Sequence, residues 1–171
     1  MAIVNKRGIQ LIISVVQHYN HERYWKYREK VINPNCKVWT ILKVLMLFYI
    51  KRCDAFNNAS MGTDLNYGAY FKTPPHLPHG LNGIIVNHRA VFGENCTIFQ
   101  QVTVGVGSDG RVPTFGDNVI IGAGARVIGG CKIGNNVSIG AGTVVTKDVP
   151  DNSTVVGASC RILPKIIKNL E

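Results

Sequence analysis

Residues 119–145 read VIIGAGARVIGGCKIGNNVSIGAGTVV. A branched apolar residue returns at every sixth position, at Ile121, Val127, Ile133, Ile139 and Val145, and Phe115 starts the series one unit earlier. That beat fits neither the helical nor the strand period, so it is a repeat. Glycine follows directly at Gly116, Gly122, Gly134 and Gly140. The fifth position of each unit is small or β-branched: Val119, Ala125, Cys131, Val137, Thr143 and Val149. Running backwards from Val104, the same frame finds Ile98, Phe92 and Val86, with Val102, Cys96 and Ala90 at the fifth positions. Between Val104 and Phe115 the frame slips by five residues. The slip is GVGSDGRVPT, residues 105–114, whose Gly, Ser and Pro content predicts an extruded loop.

Two apolar positions in six describe a triangular solenoid in which each unit makes one short strand and one turn. Three units close a coil, and stacked coils bury a continuous apolar interior. Glycine is expected to supply the backbone angles of the corners. The fold class expected is mainly β, a left-handed parallel β-helix of hexapeptide repeats with a short N-terminal α-helical segment. The left hand departs from the usual right-handed crossover. The expected division is a helical cap over 1–60, the β-helix over 61–163 and a tail over 164–171.

Composition narrows the function. Five cysteines, an odd number with no C-x-x-C pair, argue against a disulfide framework. Cys96 and Cys131 fall on fifth positions and read as buried packing residues. With no cleavable leader visible after Lys6 and Arg7, a cytoplasmic protein is expected. The charge is uneven. Residues 1–52 hold ten Lys or Arg against two Glu, net +8, whereas residues 53–171 hold nine against eight, net +1. No recognised motif accompanies this charge, so nucleic acid is not expected as a partner. The basic segment contains two apolar stretches, IQLIISVVQHY (9–19) and VWTILKVLMLFYI (38–50), with NPNC between them. The second is too short to span a bilayer. Two helices packed together over the solenoid's open end are predicted. They are expected to act either as a cap or as a basic surface that docks on anionic lipid or polymer, with peripheral contact at the inner face of the membrane.

The stretch DLNYGAYFKTPPHLPHGLNGIIVNHRAVFGENCTIFQQVTVG (64–105) and the closing block GAGTVVTKDVPDNSTVVGASCRI (140–162) resemble the serine acetyltransferases. They resemble still more closely the serine-acetyltransferase-like O-acetyltransferases of bacterial polysaccharide clusters, over about residues 62–163. The resemblance implies acetyl transfer from acetyl-CoA to a hydroxyl. It also implies a histidine base oriented by an aspartate fifteen residues upstream, here His79 and Asp64. A hydroxyl is a poor nucleophile until its proton is accepted, and imidazole is an efficient acceptor near neutral pH. The carboxylate would fix the tautomer and stabilise the imidazolium. With coils of eighteen residues, a fifteen-residue gap with an irregular corner can bring the two side chains to neighbouring coils.

The resemblance further implies a homotrimer with coenzyme A in the groove between subunits. Ala123, Gly124, Ala141 and Gly142 would give the pantetheine arm close approach, and Lys147 and Arg161 would meet the nucleotide phosphates. His88 and Arg111 are candidate acceptor-binding residues. His76, His79 and His88 also raise a three-histidine zinc site like that of carbonic anhydrases with this fold. Their spacing does not match that ligand pattern, and no metal is expected.

Two departures from the serine enzymes bear on the acceptor. Pro78 stands where they carry an aspartate that helps to hold the ammonium, and Val112 stands where they carry a second histidine. The acceptor expected is therefore a sugar hydroxyl of a surface polysaccharide, on a small or lipid-linked molecule. Serine is the alternative, and a non-catalytic binding or assembly module is a further one.

Overall fold

The computed structural model describes residues 15, 16 and 18–157. The repeat folds as a left-handed parallel β-helix with three flat faces. The first face stacks β4 (Ile85–Val86), β7 (Thr103–Gly105), β10 (Arg126–Ile128) and β13 (Val144–Val145). The second stacks β3 (Tyr70–Phe71), β5 (Val91–Phe92), β8 (Thr114–Phe115) and β11 (Lys132–Ile133). The third stacks β6 (Thr97–Ile98), β9 (Ile120–Ile121), β12 (Ser138–Ile139) and β14 (Thr154–Val155).

Regular coils advance 18 residues, so Arg126 lies beside Val144 and Ile120 beside Ser138. Where the loop at 105–114 intervenes the step is 23, as between Val104 and Val127. The first coil takes 21 residues, from Phe71 to Phe92, and the last takes 16, from Ile139 to Val155.

Every first and fifth position named above is buried, from Val86 to Val149, Thr143 included. The side chains of Phe71, Phe92 and Phe115 form one stack beneath the second face, with centroids 4.4 Å apart and rings 3° from parallel. Cys96 and Cys131 pack as expected, each thiol directed at backbone carbonyls.

The corners correct one expectation. On two of the three edges the residue with left-handed backbone angles is the fourth of the unit, not the glycine after the apolar residue. It is Asn95, Asn118, Asn136 and Asn152 on the edge between the second and third faces, with φ of 54–57°. On the edge between the third and first faces it is Gln101, Gly124 and Gly142. The glycine in second position serves close approach between coils. A Cβ on Gly122 would stand 2.6 Å from the Ala141 nitrogen, nearer than non-bonded atoms come.

Two helices lie over the first coil. α1 (His21–Ile32) is capped by Asn20, whose side chain accepts from the Arg23 amide at 2.9 Å. α2 (Thr40–Phe56) extends beyond the apolar stretch at 38–50. α1 is formed by a charged segment, HERYWKYREKVI, that neither expected stretch included. Most of the other stretch, 9–19, lies outside the described residues. The inner side of α1 buries Tyr24, Trp25, Arg28 and Val31.

Arg28 pins the helices to the solenoid. It donates to the Thr63 hydroxyl at 2.9 Å and to the carbonyls of Met61 and Ala69 at 3.0 and 2.6 Å, and it lies over the Trp25 and Phe71 rings. Burial lowers its pKa to about 10, which leaves it charged at neutral pH. Lys43 is likewise buried and donates to the Asn33 carbonyl and the Asn66 side chain. Two of the cations in the basic segment are thus structural pins.

Candidate functional site

The candidate residues fall on two separate edges of the prism. Ser60 bridges to Ile85 on the first face, and the chain then turns the corner towards β3 on the second. On this edge, between the first and second faces, the hairpin of β1 (Thr63–Asp64) and β2 (Tyr67–Gly68) carries Asp64. Gly62 presses on His88 one coil on, where a Cβ would lie 2.8 Å from the His88 Cα. The His88 ring sits 5.2 Å from that of Tyr67. The extruded loop with Arg111 leaves from the same edge in the next coil, and Lys147 stands on it two coils further along.

His79 lies on the edge between the third and first faces. His76 bridges to Thr97 on the third face, and the chain reaches the first face at Ile85. The His79 ring is exposed, 6.1 Å from the Phe99 ring, and makes no hydrogen bond within the described chain. Further along that edge come Ala123, Gly124, Ala141 and Gly142. A Cβ on Gly124 or Gly142 would have nothing within 4 Å.

Asp64 and His79 therefore do not meet within one chain, contrary to the expectation from their spacing. Asp64 instead pairs with Lys51 at 3.3 Å. The reason is geometric. Fifteen residues in a first coil of 21 carry the chain about two-thirds of a turn, which ends two corners on and not back at the starting edge. The three histidines are likewise dispersed, and no cluster of three metal-ligating side chains forms among the described residues.

Arg111 folds back on its own loop. Its Nε donates to Asp109 at 2.6 Å and its amide to the same carboxylate at 2.9 Å, contacts that hold the Asp109 carboxyl below the usual carboxylate range. Its charge is thus already met inside the loop. Arg89 braces the loop from outside by donating to the Gly110 carbonyl at 2.7 Å. Sequence reasoning missed Arg89, although a cation at the corner beside the slipped frame was a usable signal. Arg161 lies outside the described residues.

The glycines on the His79 edge carry their own signal. The same left-handed angle is met by asparagine along the neighbouring edge, where the side chains form a ladder. Asn118 donates to Asn136 at 3.0 Å and Asn136 to Asn152 at 2.9 Å. Asparagine would satisfy the backbone at 124 and 142 as well. Glycine there keeps the edge bare along two successive coils below His79.

Comparison with known proteins matches this architecture. The repeat described as "Bacterial transferase hexapeptide (six repeats)" covers residues 113–147. The chain carries hexapeptide repeats, and over its solenoid it is similar to serine acetyltransferases. That of Synechococcus elongatus is 42% identical over 105 residues, 60% of this chain and 43% of the relative. One from Staphylococcus aureus is 43% identical over 99 residues, 56% of this chain and 46% of the relative. The chain thus spans less than half the length of these curated relatives. Among solved structures, the serine acetyltransferase of Brucella abortus in complex with coenzyme A superposes with a TM-score of 0.59 at 27% identity, over 90% of this chain and 56% of that one.

Proposed function

We propose that the protein transfers an acetyl group from acetyl-CoA to an acceptor hydroxyl, at sites assembled between neighbouring chains of a homotrimer. The observation that carries this is the division of the candidate residues. His79 and the bare glycine edge lie on one corner of the prism, and Asp64, His88, Arg111 and Lys147 lie on another. An interface that joins two different edges is heterologous, and when it closes it makes a ring. A three-membered ring of triangular prisms puts the Asp64 edge of each chain against the His79 edge of the next.

In that junction an imidazole nitrogen of His79 takes the proton of the acceptor hydroxyl as its oxygen attacks the thioester carbonyl. Asp64 of the adjoining chain steadies the imidazolium. As the carbon–sulfur bond breaks, the imidazolium returns its proton to the departing coenzyme A sulfur. The products are the acetyl ester and coenzyme A. The bare edge at Ala123, Gly124, Ala141 and Gly142 admits the pantetheine arm, and Lys147 offers a cation to the nucleotide phosphates.

Serine leads as acceptor, because the relatives reported are serine acetyltransferases. They lend no support to the polysaccharide sugar expected from the sequence. A second reading, a neutral sugar hydroxyl, keeps one specific observation. The corner segments of the His79 edge, residues 77–84, 99–102, 122–125 and 140–143, hold no carboxylate to meet an ammonium group.

The test is thiol release from acetyl-CoA by the purified chain, with L-serine and a panel of sugars as acceptors. Release with serine is expected, reduced by about a hundredfold or more in His79→Ala, the scale of a lost general base. Release with sugars alone installs the second reading. No release with any acceptor, together with no retention of coenzyme A, replaces both with a non-catalytic module.

A further inference from the structure

α2 has two apolar sides, and among the described residues only one of them is packed against the rest of the chain. Ile50 and Cys53 face inward, with Lys43 and Asp54 buried beside them. On the opposite side Ile41, Leu45 and Phe48 follow one another at helical spacing and are 66%, 61% and 70% exposed. Leu42 and Val44 flank this stripe, and Trp39, 78% exposed, stands at its head. Soluble surfaces scatter single apolar residues, but a contiguous strip of this kind marks an interaction surface.

The charge around the strip selects the partner. Lys37 precedes it and Arg52 ends it, one helical step beyond Phe48, and both are exposed. The only acid on α2 is Asp54, which is buried. A second copy of the chain laid antiparallel on this face would bring Lys37 of one against Arg52 of the other, like charge on like. An anionic lipid surface instead meets cations at both ends and apolar side chains between them. Tryptophan at the head of the strip suits the headgroup boundary. At 17 residues α2 is about 25 Å long, and no helix among the described residues is long and apolar enough to cross a membrane, so this one would lie in the plane of the interface.

We propose that the outer face of α2 is a docking surface for anionic membrane, with Trp39, Ile41, Leu45 and Phe48 entering the headgroup layer and Lys37 and Arg52 meeting its phosphates. The inner face meanwhile caps the first coil, so one helix serves both roles that the basic segment suggested. This proposal is independent of the acetyl-transfer reading.

The test is co-sedimentation of the full chain with phosphatidylcholine vesicles, with and without phosphatidylglycerol, at low and high salt. A Leu45→Glu/Phe48→Glu variant is run beside it, with oligomer mass measured for both. Binding that needs phosphatidylglycerol, weakens with salt and falls about tenfold or more in the variant at unchanged mass is expected. Equal binding by the variant overturns the proposal. So does a wild-type protein that ignores both kinds of vesicle. If removal of residues 2–14 is needed before vesicles bind, that segment covers the face, and the proposal fails for the intact protein. If the variant abolishes self-association of the wild type in place of vesicle binding, the occupant is a second copy. Thiol release with a soluble acceptor reports on the catalytic reading separately.

Discussion

Asp54 sits beneath α1 and accepts the Tyr24 hydroxyl at 2.7 Å, while its other oxygen is buried with no hydrogen bond of ordinary length and angle among the described residues. Burial raises its pKa to about 6 from an ordinary 3.8. The folded protein therefore binds this proton more tightly than the unfolded chain does. Within the window from about pH 4 to pH 6 the folded state is protonated and the unfolded state is not, so stability declines as pH rises through it. Above pH 6 the loss is complete, and below pH 4 it is absent. Asp54→Asn cannot ionise. Its stability relative to wild type should improve by on the order of 2 kcal/mol between pH 4 and pH 8. Denaturant unfolding at the two pH values measures this, and a gap that does not change with pH would refute it.

At the scale of the repeat unit, two fourth positions with the same backbone angle serve different ends. Gly124 (φ 67°) has open space around it, while Asn118 (φ 57°) is a rung of the asparagine ladder. Gly124→Asn should fold with a melting temperature within about two degrees of wild type, because asparagine tolerates the left-handed region. It should nevertheless raise the KM for acetyl-CoA by about tenfold, because a side chain now stands in the groove. Asn118→Gly should do the reverse, lowering stability without affecting KM. If Gly124→Asn unfolds the protein, glycine is required there by the fold and not by a groove.

These units also show what could be read beforehand. The period exposed Phe115, Ile121, Val127 and their partners, because burial at first and fifth positions depends only on the repeat. The corner was misassigned because units such as IGAG carry glycine both at the position of close approach and at the position of the turn. α1 was missed for a different reason. Its buried face, Tyr24, Trp25, Arg28 and Val31, keeps helical spacing but uses aromatic rings and a guanidinium in place of aliphatic residues. Asn20 as its cap was a legible signal. The distance between Asp64 and His79 was not legible. It depends on a first coil of 21 residues in place of 18, and the repeat does not extend that far.

For the whole molecule, the separation of Asp64 and His79 onto different edges means that, under the proposed function, two defective chains should repair one another. A trimer made only of His79→Ala chains would then have no base at any junction, and one made only of Asp64→Asn chains would have no orienting carboxylate. When the two are unfolded together and reassembled, every mixed ring contains one junction where an intact His79 edge faces an intact Asp64 edge. Random assembly from equal amounts makes that about a quarter of all sites, so about a quarter of wild-type turnover should return from two nearly inactive parents. A site contained within one chain would recover nothing, whatever the mixing ratio. Under the proposed function each active centre would be common property of two polypeptides, a pattern that genetics would register as complementation between alleles of a single gene.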